Sequence, residues 1–334
     1  MNGPAPVLEN TDDLAQYRAE RRLSPQPVAE PEPVVEEAKK SWIPYYDFTV
    51  GLMNKYDGPF VILLGIQNIN HGLWTVAVLA CQDLFKTYFK MDPGDMTVFM
   101  SMIHLPWSIK IVYGLISDNV PIMGTRRKSY IVLMGVLQFI ALISIYFLHD
   151  STPVAVAALL CVAALTEAFV NVVADAIMCI QARKDPEHGS QDLIAFSWLA
   201  TGIGGILGCI AGGILTENYH PRYSFLAYSF FGLFVAFNGL YLTKESEEDH
   251  VETAAINTSR DSQVVEGESE FWTKLRRNMG QIGVAMMMPE IYLVIAFFLL
   301  NGLLSPDFGD FSYYFMLNTV KLSKFQYSML GVVG

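Results

Sequence analysis

The chain has 334 residues, of which 52% are hydrophobic and only 16% charged, with a net charge of −11. Soluble domains carry about 25% charged residues, so this chain lacks what solvates a globular surface, and the acidic excess gives no footprint for nucleic acid. The charge is also uneven: residues 1–58 and 244–277 hold much of it, as expected when a bilayer excludes charge from spanning helices and leaves it in tails and loops.

In chain order, residues 1–40 are rich in Pro and Glu (Pro25, Pro27, Pro31, Pro33, Glu36, Glu37) and have no apolar core of the kind a signal peptide needs. Such a segment buries too little surface to offset its ordering entropy and is expected to be disordered. Trp42, Tyr45, Tyr46 and Phe48 follow as an expected interfacial anchor. A spanning helix needs about 20 mostly apolar residues, and six complete candidates come next, at roughly 59–81, 96–117, 129–148, 153–181, 191–215 and 223–243. Short links with Pro, Gly and Asp separate them. A polar stretch at 244–285 precedes a seventh apolar segment from about 286, interrupted by Pro306 and Gly309 and continuing as a broken helix to about Asn318. An eighth begins as the sequence reaches Gly334.

This divides the chain into a cytoplasmic tail and interfacial segment (1–58), a six-helix bundle (59–243), a charged central loop (244–285) and the beginning of a second bundle (286–334). Arg126, Arg127, Lys128, Arg183, Lys184, Lys244, Arg260, Lys274, Arg276 and Arg277 lie in loops on one side, and Lys86, Lys90, Arg222, Lys321 and Lys324 on the other. The ten-to-five bias puts the first side, with the N-terminus, in the cytoplasm. Cys81, Cys161, Cys179 and Cys209 fall inside or beside apolar tracts without CxxC spacing and read as packing residues. No cofactor or metal-ligand cluster is expected, and no phosphate loop or nucleophile elbow suggests an enzyme.

An ionisable residue inside a span is costly and therefore a functional candidate. The first span carries His71 beside Asn68 and Asn70, the second His104 and Lys110, and the fourth Glu167, Asn171 and Asp175 at i, i+4, i+8 on one face. Counted from their cytoplasmic ends at 1.5 Å per residue, Lys110 and Asp175 both lie about 10 Å deep and are expected to pair. The plainer alternatives are a helix-to-helix tie for that pair and hydrogen-bonded packing for either histidine. Glu167, near mid-membrane, fits a cavity or proton-handling role. Gly204, Gly208 and Gly212 repeat every fourth residue, a stripe that suits close helix packing rather than substrate contact.

Gly114-Leu-Ile-Ser-Asp118 followed by Gly124-Thr-Arg126-Arg127-Lys128 resembles the loop signature of the major facilitator superfamily, in which an Asp at a helix end works with basic residues as a gating latch. Charge-assisted bonds from Arg126, Arg127 and Lys128 to Asp118 can break and re-form between two carrier states. The stretch Leu105-Pro106-Trp107-Ser108-Ile109-Lys110-Ile111-Val112-Tyr113-Gly114, running on through Ser117-Asp118 and Pro121 to Arg127, is similar to the hallmark of the folate–biopterin transporter family. The run from Glu167 through Asn171 to Asp175-Ala176 resembles that family's fourth-span motif, and Ser305-Pro306…Asp310-Phe311…Tyr314-Phe315 its seventh-span motif. The resemblance extends from about residue 60 to the end of the sequence.

It implies an all-α polytopic membrane protein of the major facilitator type, six N-terminal transmembrane helices plus the start of the second bundle. It also implies a proton-coupled carrier of folates, pterins or related anionic metabolites. Three departures stand out: Asn171 occupies a position usually held by Asp, His71-Gly72 stands where Gln-Gly is usual, and most of the second half is absent. His71, His104, Lys110, Glu167, Asn171 and Asp175 are the expected substrate-binding or coupling residues. Gly114, Asp118, Arg126, Arg127 and Lys128 are the expected cytoplasmic gate. The rival reading is a degenerate carrier kept as a non-transporting structural or assembly subunit, with membrane-complex partners in place of a solute.

Overall fold

The computed structural model describes residues 44–120, 127–148, 152–242, 286–305 and 308–333, together with Ile122, Thr125, Arg276, Met279, Gly280 and Gly283. The acidic tail, nearly all of the central loop, Arg126 and Pro306 lie outside the described residues. Residues 48–334 group as one compact unit, and of residues 1–47 only the first turn of a helix is described.

That helix, α1 (Pro44–Lys55), has Asp47 in its first turn and Lys55 in its last, each opposing the local end of the helix dipole. The spans follow as α2 (Gly58–Asp83), α3 (Pro93–Ser108) with α4 (Lys110–Asn119), α5 (Lys128–Phe147), α6 (Pro153–Ala182), α7 (Gly189–Asn218) and α8 (Arg222–Leu242). After the central loop come α9 (Pro289–Leu304), α10 (Gly309–Asn318) and α11 (Lys324–Val333). Seven helical stretches among the described residues are long and apolar enough to cross a membrane, with α3 and α4 counting as one stretch and α9 and α10 as another. Among the described residues there is no β-strand, only an isolated bridge between Ile122 and Thr125. The chain is an all-α polytopic membrane protein.

Proline punctuates these helices where its missing N–H does no harm. Pro59, Pro93, Pro153 and Pro289 each sit in a first turn. Thr152 caps α6 by accepting from the Ala155 amide at 3.3 Å. Pro106 lies inside the second span, and three residues past it Ile109 leaves the helical region (φ −108°, ψ 23°), separating α3 from α4.

Two crossings set the core. In the first, α2 lies against α7, where a Cβ on Gly72 would stand 2.2 Å from the Thr201 carbonyl oxygen and one on Gly204 2.3 Å from that of Ile69. Gly208 and Gly212 continue that face against Gly72, Val76 and Leu79, so the glycine stripe is a packing surface. In the second, α5 meets α8 through Gly135 and Gly232, each within 2.7 Å of the other's carbonyl oxygen once a Cβ is added. Gly72→Ala is therefore expected to lower stability by about 1–3 kcal/mol or more through backbone overpacking. Gly205→Ala, which meets nothing within 4 Å, should be silent in the same thermal melt in detergent.

The hairpin that joins the first two spans recurs at the seventh. In the first, α2 continues as a π turn over Leu84–Tyr88, and the amides of Phe89 and Met91 bond the carbonyls of Leu84 and Phe85, both at 3.1 Å. In the second, the amides of Val320 and Leu322 bond Phe315 and Met316 at 3.2 and 3.0 Å, the same five- and six-residue reach. Lys90 (φ 53°) and Lys321 (φ 61°) hold the left-handed position in each, as a helix-ending motif requires. Asp92 and Ser323 then open the next helices. Ser323 does so as a capping box: Gln326 N donates to its Oγ at 3.1 Å, and its own N–H donates to Gln326 Oε1 at 2.9 Å. The two connections are thus an internal repeat of one turn geometry.

Candidate functional site: a buried carboxylate beside an aromatic-bound lysine

Most of α2 is apolar, yet four polar residues, Gln67, Asn68, Asn70 and His71, occupy little more than one turn of it. Asn68 turns toward α7, accepting from the Thr201 hydroxyl at 3.3 Å and donating back to Leu64 O. Asn70 turns the other way and donates from Nδ2 to Glu167 Oε2 at 2.6 Å. Glu167 is 1% exposed. Gln138, a lone amide in the apolar run of α5, donates to the same oxygen at 3.5 Å and to the Tyr228 hydroxyl at 3.2 Å. The Tyr228 hydroxyl in turn donates to Asn70 O at 3.1 Å. Four helices, α2, α5, α6 and α8, are thus tied through one carboxylate, which offsets the cost of holding polar groups at this depth.

The second carboxylate oxygen faces elsewhere. Glu167 Oε1 lies 3.5 Å from His71 Nδ1, and neither atom has a hydrogen-bond partner among the described residues. The His71 ring packs against Trp107, with centroids 4.9 Å apart and planes at 39°. Lys110 Nζ stands 4.2 Å from the Trp107 ring centroid, a cation–π contact, and donates to Asn171 Oδ1 at 2.6 Å. A continuous chain therefore runs Glu167–His71–Trp107–Lys110–Asn171 across α6, α2, α3 and α4. The kink after Pro106 lies between Trp107 and Lys110 and lets both residues meet at one ring face.

The expected Lys110–Asp175 pair does not form: Asp175 is exposed, and Lys110 bonds Asn171, one turn further from the 118–128 end. Side chains on a helix lean toward its N-terminus, and a lysine reaches about a full turn of 5.4 Å beyond its Cα. Counting depth by Cα position alone overlooks that lean. His104 bonds the Met100 carbonyl on its own helix at 2.8 Å. Gln138 and Tyr228 were missed by sequence reasoning. An amide alone in some twenty apolar residues was the available signal for the first, whereas tyrosine is too common in spans to mark the second.

Around the 118–128 connection, Ile122 and Thr125 exchange backbone hydrogen bonds, both 3.0 Å, and Tyr130 donates its hydroxyl to Val120 O at 2.8 Å. Phe169 stacks between Tyr113 (5.2 Å) and Tyr130 (5.0 Å), fastening this end of α4 to α5 and α6. Asp118 is exposed near the end of α4, while Arg127 and Lys128 are half-buried at the start of α5. A Cβ on Gly114 would meet Val172 at an ordinary 3.5 Å, so close packing does not demand glycine there. On the same side Lys55 pairs with Asp185 and, at 3.1 Å, with Asp192; the lysine holds the Asp185 carboxyl below its ordinary range.

The model of the BT1 family matches residues 70–334. The chain is 24% identical over 277 residues to "Probable folate-biopterin transporter 7" of Arabidopsis thaliana, covering 82% of this chain and 58% of that protein. It is 27% identical over 186 residues to "Folate transporter 2" of Plasmodium falciparum (56% of this chain, 40% of that one). To "Folate-biopterin transporter" of Synechocystis it is 28% identical over 173 residues (51% and 35%). The chain thus spans less than two thirds of these relatives' length, and no solved structure matches it.

Proposed function

The chain belongs to the BT1 family, and from that premise we propose that the protein is a secondary carrier of a folate, a pterin or a related anionic metabolite, working by alternating access and coupled to protons. The observation that carries this reading is Lys110. Its ammonium is anchored by a neutral amide and an aromatic ring, with no carboxylate within 4 Å among the described residues. A cation held in place without an ion-pair partner suits an arriving carboxylate, and Trp107 beside it offers a flat face to a pterin ring.

In this reading His71 and Glu167 are the proton-handling pair. Asn171 positions Lys110 without neutralising it, and Asp175 is the exposed acid toward the mouth. The 118–128 connection faces the cytoplasm with the N-terminus, and Asp118 with Arg126, Arg127 and Lys128 forms the latch there. The Lys and Arg bias of the loops favours this orientation, and the names of the relatives favour the solute class.

The test is uptake of labelled folate and biopterin into proteoliposomes carrying the full native chain. Accumulation above protein-free vesicles, stimulated by an imposed proton gradient, is expected. Background uptake of both solutes by folded, inserted protein would replace this reading with that of a structural subunit, for which the non-ionisable Asn171 is the best support.

A further inference from the structure

At the end of the bundle opposite the 118–128 connection, a second charged cluster joins the first six helices to those after the central loop. Asp83, the last residue of α2, is fully buried, and its carboxylate binds Lys324 Nζ at 2.8 and 2.9 Å. Thr87 donates to Asp83 Oδ1 at 2.7 Å from the π turn, and Lys324 also donates to Thr216 O at 3.2 Å at the end of α7. Around this pair, Phe325 N donates to Glu217 Oε2 at 3.2 Å and Gln82 Nε2 to Asp310 Oδ1 at 3.1 Å. Lys86 Nζ lies 5.5 and 5.3 Å from the ring centroids of Tyr313 and Tyr314.

The repeated hairpins make the contact reciprocal. Asp83, just before the first hairpin turn, reaches Lys324, just after the second. Tyr314, which occupies in the second hairpin the place of Asp83 in the first, donates its hydroxyl to Met91 O in the first turn.

We propose that Asp83 and Lys324 are the gate of that end, an ion pair between the two hairpins that closes the path there and must part once in every transport cycle. The inference rests on the carrier reading above. The two sides differ in what parting demands of them. Lys324 keeps 27% of its side chain exposed and can turn to water, whereas Asp83 has none exposed and is stranded unless the hairpins separate. Losing the lysine should therefore open the gate more than losing the acid.

The experiment uses the full native chain with its native cysteines replaced by alanine. Spin labels at Asn218→Cys and Asn318→Cys, exposed on α7 and α10, report the separation of the two hairpin sets by pulsed resonance in lipid discs. The unsubstituted gate should give mainly the short distance. Lys324→Met should raise the ratio of long to short about tenfold or more, Asp83→Asn should raise it less, and the double variant should fall below Lys324→Met alone. An unchanged distribution in folded Lys324→Met protein would overturn the gate. Should that variant fail to fold, the isosteric Asp83→Asn carries the test, a longer population supporting the gate and an unchanged one overturning it. Uptake by the unsubstituted protein without any shift in the variants sinks the gate alone; a shift without uptake sinks the carrier reading and leaves Asp83 and Lys324 as a clasp between the hairpins.

Discussion

Glu167→Gln is expected to yield a folded protein whose folate uptake no longer responds to external pH. Glutamine keeps the volume of the side chain and an oxygen that can accept from Asn70 and Gln138, so the tie among α2, α5, α6 and α8 survives. What is lost is the ability to take up and release a proton beside His71. The groups facing that site are His71 from α2, Lys110 from α4, Tyr228 from α8 and Asp175 from α6, the helix of Glu167 itself. None of them can replace a carboxylate 3.5 Å from the imidazole. Glu167→Ala behaves differently. It removes the shared acceptor of the Asn70 and Gln138 amides, leaving Asn70 only its 3.5 Å contact with Gln138 and Gln138 its bond to Tyr228, at about 1–3 kcal/mol for the under-satisfied Asn70 amide. Uptake measured from pH 5 to pH 8 separates the cases: the alanine variant loses folded protein, while the glutamine variant loses only the slope. A glutamine variant with the native pH profile would remove Glu167 from any coupling role.

Lys110→Met is expected to raise the half-saturating concentration of folate steeply while leaving the protein inserted and folded. A hydrogen bond to a charged partner contributes about 1.5–3 kcal/mol, which corresponds to a weakening on the order of 10- to 100-fold. Methionine keeps most of the packing against Trp107 and forfeits only the charge and the bond to Asn171. The loss should be small for biopterin, which has no carboxylate, so the ratio of the two solutes' half-saturating concentrations is the informative quantity. An equal loss for both would mean that Lys110 holds helices together rather than a solute.

The same lysine shows where sequence reasoning reached and where it stopped. That Lys110, Glu167 and His71 are candidate site residues follows from cost: each stands inside an apolar span where charge or polarity has to be repaid by a contact. Which atom meets which did not follow. Lys110 chose Asn171 over Asp175 because of the direction in which helical side chains lean and the kink after Pro106. Glu167 found its partners in Asn70, Gln138 and Tyr228, on helices far apart in sequence. Asp83 was not singled out, and Lys324 entered only as a loop charge, because both lie near the ends of apolar segments, where a charge ordinarily reaches water at little cost. Only the approach of the two hairpins removes that water from Asp83.

The sequence by itself determined the membrane class, the seven apolar segments, the glycine stripe of α7 and the family resemblance. These depend on local composition and periodicity, and the bilayer selects them residue by residue along one chain. The tertiary structure decided the partners: the four-helix tie at Glu167, the aromatic seat of Lys110 and the Asp83–Lys324 contact between the hairpins. Those depend on helix rotation, crossing and side-chain lean, which arise only when one helix face meets another and which no single apolar segment encodes.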